Sequence, residues 1–115
     1  MPATLPKEER LHGKSRIAAL LKGGKWGSTP HLRYCCLRGN GLEYNRMMVS
    51  VPKKSFKRAV KRNFLKRRIR EAYRTQKQLL ETTGCDILFF YAAATLADSA
   101  VIRAEVADIL QRLSR

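Results

Sequence analysis

Residues 57–80 form the segment that most limits how this chain can fold. They contain neither glycine nor proline, and good helix formers dominate them. At about 100° per residue, the apolar residues that fall on one side of such a helix are Leu65, Ile69, Ala72 and Leu79. The pattern predicts a long amphipathic helix, and the other elements must supply a surface that covers its apolar side.

Three segments before this helix have their own patterns. Ser15 is predicted as the N-cap of a short first helix that a glycine pair, Gly23 and Gly24, ends. The next residues, KWGSTPH, have the composition of a loop. Residues 31–37 (HLRYCCL) and 45–52 (NRMMVSVP) are typical of strands, and we expect them to be antiparallel neighbours.

Two more elements are predicted after Gly84. Residues 85–92 (CDILFFYA) form a continuous apolar run, as in a strand that is covered on both faces. Asp98 is the predicted N-cap of a last helix. The order α-β-β-α-β-α indicates an α+β fold, with helices packed on a small mixed sheet. At 115 residues we expect one domain, residues 1–115, with residues 1–9 as a flexible leader.

The outward side of the long helix carries a stripe of cations. This cationic stripe consists of one amide and four cations at helical spacing: Asn63, Lys66, Arg67, Arg70 and Arg74. Eleven Lys or Arg lie between positions 53 and 74, against the single acid Glu71, in a chain of net charge +15. Charge of one sign destabilises a compact state unless an anion neutralises it. The favoured partner is therefore a nucleic acid, ahead of an anionic membrane, an acidic protein or a merely solvated face.

No pattern predicts that the chain itself carries catalytic chemistry. His12 and His31 have no metal-binding spacing, and the acids are scattered, so we predict no catalytic residue and no metal ligand. The three cysteines lack CxxC spacing, which favours buried thiols in a reducing cytoplasm. The start has no secretory signal, and no apolar run is long enough to span a membrane.

One stretch resembles a known motif. Within AVKRNFLKRRIREAYR, the residues Arg62, Asn63, Lys66, Arg67, Arg70 and Glu71 resemble the RNR signature of the protein subunit of bacterial ribonuclease P. RLHGKSRIAALLKGG, VSVPKKSFKRAV and CDILFFYA resemble the family's opening helix, the strand before its RNR helix and its later strand. The resemblance covers nearly the whole chain.

This resemblance implies a fold similar to domain 2 of ribosomal protein S5, with a left-handed crossover. It also implies a function as an RNA-binding cofactor within a cytoplasmic ribonucleoprotein. The catalytic RNA subunit, using Mg²⁺ that it holds itself, would remove the 5′ leader from precursor tRNA. The chain would then be a subunit of an endonuclease, a hydrolase of tRNA processing. Its partners would be that RNA and precursor tRNA, with no protein partner required.

Charge and resemblance together predict the residues that contact RNA. They are Lys53, Lys54, Lys57, Arg58, Lys61, Arg62, Asn63, Lys66, Arg67, Arg70 and Arg74. The family also holds the single-stranded leader in a cleft between the first helix and the sheet, which here corresponds to Ile17, Leu21, Tyr34 and Cys35. Ile17 and Leu21 stand where relatives often carry phenylalanine, so a grip by shape or backbone contact is expected. Tyr34 would face away from Cys35 unless the strand register shifts.

Other functions fit the charge and the fold class. One is a ribosomal or other structural RNA-binding protein without a role in cleavage. Another is a DNA-binding module with residues 61–74 in the major groove, although such a helix usually follows a supporting helix and here a strand precedes it. A nuclease that acts without RNA is the least favoured, because no catalytic set is visible.

Overall fold

The computed structural model describes residues 5–114. Its helices are α1 (Lys14–Gly23), α2 (Ala59–Arg74) and α3 (Ser99–Leu113). Its strands are β1 (Lys25–Ser28), β2 (Leu32–Arg38), β3 (Arg46–Ser50) and β4 (Cys85–Tyr91). Single turns of 3₁₀ helix span Lys7–Glu9 and Lys77–Leu79.

The four strands form one mixed sheet in the order β1-β2-β4-β3. β4 is antiparallel to β2 and parallel to β3, with α2 in the connection between β3 and β4. The predicted pairing of residues 31–37 with 45–52 is therefore wrong. β4 is the most apolar strand and lies between them, where neighbours protect both of its edges. The predicted α+β sandwich with helices on a mixed sheet is confirmed.

Helices cover both faces of this sheet. α2 and α3 pack on one face, where Ile87, Phe89 and Tyr91 join the larger core. α1 packs on the other face, where Leu20 meets Cys35 and Leu88. Successive residues of a strand point to opposite faces, which explains the alternation along β4. The expectation that this strand is covered on both faces is confirmed.

The first strand was not predicted. Residues 25–28 pair antiparallel with β2, although KWGSTPH has the composition of a loop. Gly27 lies opposite Tyr34, and a Cβ at Gly27 would come within 2.3 Å of the tyrosine ring. Glycine is required there because the Tyr34 ring lies against the β1 backbone, a long-range contact that local composition does not reveal.

Helix boundaries also differ from the predicted ones. α1 begins at Lys14 after Gly13, whose φ is 96°, so Ser15 is not its N-cap. α2 ends at Arg74 instead of reaching residue 80, because the Gln76 side chain donates hydrogen bonds to Ala72 O (2.9 Å) and Arg103 O (3.0 Å). These two bonds tie the end of α2 to α3.

Residues 5–9 differ from the expected flexible leader. Leu5 is buried in the core that α2 and α3 share, and Glu9 accepts a hydrogen bond from Lys77 Nζ at 2.8 Å. The following segment runs along β3, where Leu11 N donates to Met47 O at 2.8 Å. The buried Leu5 side chain and the ion pair between Glu9 and Lys77 thus hold this segment against the rest of the domain. Residues 1–4 of the predicted leader lie outside the described part of the chain.

A buried carboxylate holds α1 and β3 to β4. The Asp86 side chain is fully buried and accepts hydrogen bonds from Arg16 at 3.1 Å, Arg46 at 3.0 Å and Asn40 at 3.0 Å. Burial alone would raise the pKa of Asp86, but the hydrogen bonds from Arg46, Asn40 and Arg16 lower it below its usual value. The carboxylate is therefore ionised at neutral pH.

Candidate nucleic-acid interface

α2 turns its apolar side to the core and its polar side outward, as predicted. Leu65 and Ile69 are fully buried, and Ala72 is nearly so. Tyr73 also packs in this core, a contact that the predicted stripe did not include. Leu79 lies beyond α2 in the 3₁₀ turn but still packs against the same core. The opposite side of the helix is therefore available to a ligand.

The cationic stripe keeps most of its charge. Arg74 forms an ion pair with Glu71, one helical turn before it. Within residues 5–114, Lys66, Arg67 and Arg70 have no carboxylate within 4.0 Å. Unpaired cations in a row along one helix face suit a chain of phosphates, which pair with guanidinium groups in a bidentate manner. Asn63, at the start of the stripe, is exposed and adds amide donors and an acceptor.

Arg70 has a second arginine beside it. Arg10 and Arg70 line a pocket of about 250 Å³ whose remaining walls come from Leu11 and Met47–Val49. Burial, and then the charge of Arg10, lower the pKa of Arg70 below its usual value. An anion between the two guanidinium groups would relieve this repulsion. Sequence reasoning missed Arg10 because it assigned the preceding residues to a leader, and no local signal shows that this segment follows β3.

The remaining predicted cations lie in and after the loop before α2. Exposed members of this set are Lys53, Lys54, Lys57, Arg58 and Lys61. Arg62 is half-buried, and its Nη1 donates to Phe56 O and Lys57 O, both at 2.8 Å. Both acceptors are neutral carbonyls, so Arg62 shapes the loop and still keeps its positive charge.

The four residues predicted for the leader cleft do not share one surface. Tyr34 belongs to the core on the α2 and α3 face, so its placement in the cleft is wrong. Its neighbour Cys35 is fully buried on the α1 face, where its thiol contacts Leu20 O at 3.3 Å. The β2 register has not shifted, and strand alternation therefore separates the two residues. Ile17 is half-buried against the α1 core and Leu21 is 44% exposed.

Other residues flank α1 on that face. Leu37, Met48 and Phe90 are partly buried side chains that pack against the core beneath α1. Phe90 is the aromatic residue among them, and it pairs with Arg33 across the sheet. Alternation along CDILFFYA was the signal that could have found Phe90, because it places residues 88 and 90 together.

The described residues offer little for covalent or metal chemistry. Residues 5–114 contain no group of three or more His, Cys, Asp or Glu that could hold a metal ion. All three cysteines are free and buried, and burial raises the pKa of the Cys35 and Cys36 thiols. Across the same residues, no helix is long and apolar enough to cross a bilayer.

The described residues thus form a small α+β sandwich in which α2 presents cations without a carboxylate partner in that part of the chain. This arrangement is typical of proteins that bind nucleic-acid backbones. Comparison with known proteins identifies the family. The ribonuclease P family model matches residues 5–114, so the chain belongs to the ribonuclease P protein family.

Individual relatives agree with this assignment. The ribonuclease P protein component of Porphyromonas gingivalis is 46% identical over 83 residues, which are 69% of this chain and 61% of the relative. The chain thus spans about three fifths of that protein's length. The ribonuclease P protein component of Nitrosomonas eutropha is 31% identical over 113 residues, covering 97% of this chain and 93% of the relative.

Solved structures have the same fold. The ribonuclease P protein from Thermotoga maritima superposes with a TM-score of 0.79 at 28% identity, covering 90% of this chain and 96% of that one. The ribonuclease P protein from Staphylococcus aureus also superposes with a TM-score of 0.79, covering 90% of this chain and 94% of that one. Its sequence identity is 22%, so this comparison supports the fold alone.

Proposed function

We propose that this chain is the RNA-binding cofactor of a bacterial ribonuclease P. It would assist the catalytic RNA subunit in removing the 5′ leader from precursor tRNA in the cytoplasm. The observation that carries the proposal is a coincidence on α2. The residues that match the family's RNR motif include Lys66, Arg67 and Arg70, the cations of the stripe that have no carboxylate within 4.0 Å among residues 5–114. Family membership gives no support to the structural RNA-binding or DNA-binding alternatives.

The proposed contribution of α2 is electrostatic. Its cations dock on the RNA backbone, together with those of the preceding loop, and they release condensed counterions as they bind. Placed beside crowded phosphates, they also lower the local negative charge, so that the RNA folds around its own Mg²⁺ at lower metal concentration. The Mg²⁺ is assigned to the RNA subunit, as the family resemblance implies.

The leader of precursor tRNA is assigned to the α1 face of the sheet. Ile17 and Leu21 contribute apolar surface there, and Phe90 offers an aromatic ring in place of the predicted Tyr34. A base could stack on Phe90 while a flanking phosphate approaches Arg33, which pairs with Phe90 across the sheet. Tyr34 has no part in this assignment, since it lies on the opposite face of the sheet.

Cleavage assays with a 5′-extended precursor tRNA test the proposal. A bacterial ribonuclease P RNA is assayed at low Mg²⁺ with and without the protein, and the protein is also assayed alone. We expect the protein to stimulate correct cleavage by the RNA and to be inert alone. RNA binding without stimulation would instead assign the chain to structural RNA binding, and cleavage by the protein alone would contradict the cofactor role.

A double variant tests the stripe itself. Arg67→Ala with Arg70→Ala removes two cations of the stripe, and we expect the affinity for the RNA to fall about ten-fold or more and the salt dependence to weaken by about two charges. Lys22→Ala with Lys25→Ala is the matched control, because it removes two exposed cations outside α2. The assignment of the stripe fails if both double variants bind like the unmodified protein while their thermal unfolding shows that they are folded.

A further inference from the structure

A groove between α2 and α3 lies beside the cationic stripe. It has a volume of about 270 Å³, and its walls are Phe64, Arg67, Arg68, Glu71 and Ala72 of α2 with Ser99 and Arg103 of α3. Drug-sized ligands occupy pockets of about 300–1,000 Å³. The groove is therefore suited to a single planar ring with its attached phosphate.

Phe64 gives the groove an aromatic wall. Its side chain is 38% exposed and does not belong to the core, which its neighbour Leu65 enters instead. The Arg68 guanidinium lies over the Phe64 ring, with its central carbon 4.1 Å from the ring centroid. The guanidinium therefore covers one face of the ring, and a planar ligand in the groove would extend this stack on its free side.

Neutral partners position two of the groove's three arginines. Arg68 Nη1 donates to Ala97 O at 3.2 Å, and Arg103 Nη1 donates to Thr75 Oγ1 at 2.9 Å. These bonds fix the side chains without cancelling their charge. Arg67 has no carboxylate within 4.0 Å among residues 5–114. The one acid at the groove, Glu71, is already bound by Arg74, so the excess charge of the groove is positive.

We propose that this groove binds one unpaired nucleotide of the RNA partner, with its base on the Phe64 and Arg68 surface and its phosphate between Arg67 and Arg103. The proposal rests on the proposed function. Arg67 belongs to both the stripe and the groove, so a backbone that follows the stripe can turn a nucleotide into the groove. Bases inside a duplex present no free face, and only an unpaired one can stack there.

The aromatic wall favours a nucleotide over an acidic peptide as the occupant of the groove. Carboxylates would pair with the three arginines but would gain little from a stacking surface, whereas each base that stacks on an aromatic side chain strengthens binding by roughly ten-fold or more. Charge complementarity and the planar wall together favour a nucleotide.

The first experiment measures stacking directly in the full chain. In Phe64→Trp, an unstructured uridine oligonucleotide should quench the new indole, after subtraction of the Trp26 signal recorded with the unmodified protein. An RNA duplex of equal length should quench it far less. Equal quenching by the duplex, or none by the oligonucleotide, overturns the proposal, and so does quenching by an acid-rich peptide alone.

The second experiment removes the ring while keeping apolar bulk. Phe64→Leu should bind the uridine oligonucleotide about ten-fold more weakly. The control Tyr44→Leu should bind it unchanged, because Tyr44 has the same 38% exposure but lies outside the groove. Unchanged binding by Phe64→Leu, with thermal unfolding as for the unmodified protein, overturns the stacking contact.

A third variant tests the phosphate contact. Arg103→Gln should weaken binding of the oligonucleotide about three-fold and reduce the salt dependence by about one charge. Arg112→Gln on the same helix is the control, because Arg112 is paired with Asp108 at 2.8 Å. Equal effects of the two variants overturn the assignment of Arg103.

The groove and the proposed function can fail separately. If the unmodified protein does not bind ribonuclease P RNA at all, the proposed function fails, whatever the oligonucleotide does. If it binds that RNA and loses affinity in Arg67→Ala with Arg70→Ala but not in Phe64→Leu, the stripe is supported and the groove is not.

Discussion

At the scale of single residues, Asp86 joins three parts of the chain. Its buried carboxylate accepts hydrogen bonds from Arg16 of α1, from Arg46 of β3 and from Asn40 in the turn between β2 and β3. Removing one partner of a buried ion pair leaves the other charges without compensation. The buried Asp86 therefore holds α1 in position more strongly than an exposed ion pair would.

Asp86→Asn should lower the free energy of unfolding by about 3 kcal/mol at pH 7. The folded-state pKa of Asp86 is lowered, so its contribution is complete above the unfolded-state pKa of about 3.9 and disappears as the pH falls through the folded value. Urea unfolding of the unmodified protein and of Asp86→Asn should show a smaller difference in the free energy of unfolding below pH ~3 than at neutral pH.

Asp108→Asn is the control for this comparison. Asp108 pairs with Arg112 on the surface of α3, where the two side chains are 48% and 39% exposed. Exposed pairs contribute little to stability, so this variant should unfold almost like the unmodified protein. Equal losses in Asp86→Asn and Asp108→Asn would show that the buried carboxylate is not special.

At the scale of elements, the segment before α1 extends the interface of α2. It forms a parallel bridge with β3 at Met47, which brings Arg10 close enough to lower the pKa of Arg70 together with burial. Arg10 is exposed and, within residues 5–114, has no carboxylate within 4.0 Å. The cationic surface is thus built from two segments that are 60 positions apart in the sequence.

Arg10→Gln tests this shared surface. Binding to ribonuclease P RNA should weaken, and the salt dependence should fall by about one charge. Thermal stability should stay the same or rise slightly, because a like-charge contact with Arg70 is removed. Lys25→Gln, an exposed cation on β1, is the control. Loss of stability with unchanged RNA binding would mean that Arg10 serves the fold instead.

At the scale of the whole molecule, the features that were predicted correctly are local ones. The burial of Leu65 and Ile69 follows from helical periodicity, and the two-sided burial of β4 follows from its continuous apolar run. The cationic stripe was predicted for the same reason, since a helix fixes its own faces.

The features that were missed depend on contacts between distant residues. β1 pairs with β2 at a place where Gly27 leaves room for the ring of Tyr34. β4 separates β2 from β3 because it is the strand that needs neighbours on both sides. Arg10 joins the interface through a backbone bond to β3. None of these pairings leaves a periodic signal in the sequence, so the sheet order and the groove between α2 and α3 required the structure.

Net charge acts on the whole molecule, and it gives the last prediction. The chain carries +15, concentrated around α2, and repulsion within this surface opposes folding. Raising NaCl from low to physiological concentration screens that repulsion, so the midpoint of thermal unfolding should rise. Lys66→Gln with Arg67→Gln should melt about 3 °C higher than the unmodified protein at low salt, because these two cations have no carboxylate partner among residues 5–114.

The unfolding midpoint of the same double variant should change less with salt. At high ionic strength, the midpoints of the variant and of the unmodified protein should converge. It should also bind ribonuclease P RNA more weakly, so the gain in stability and the loss in affinity have one cause. A midpoint that is flat or falling with salt in the unmodified protein would show that repulsion around α2 does not limit its stability. Stability and RNA binding then could not be opposing consequences of the same charges.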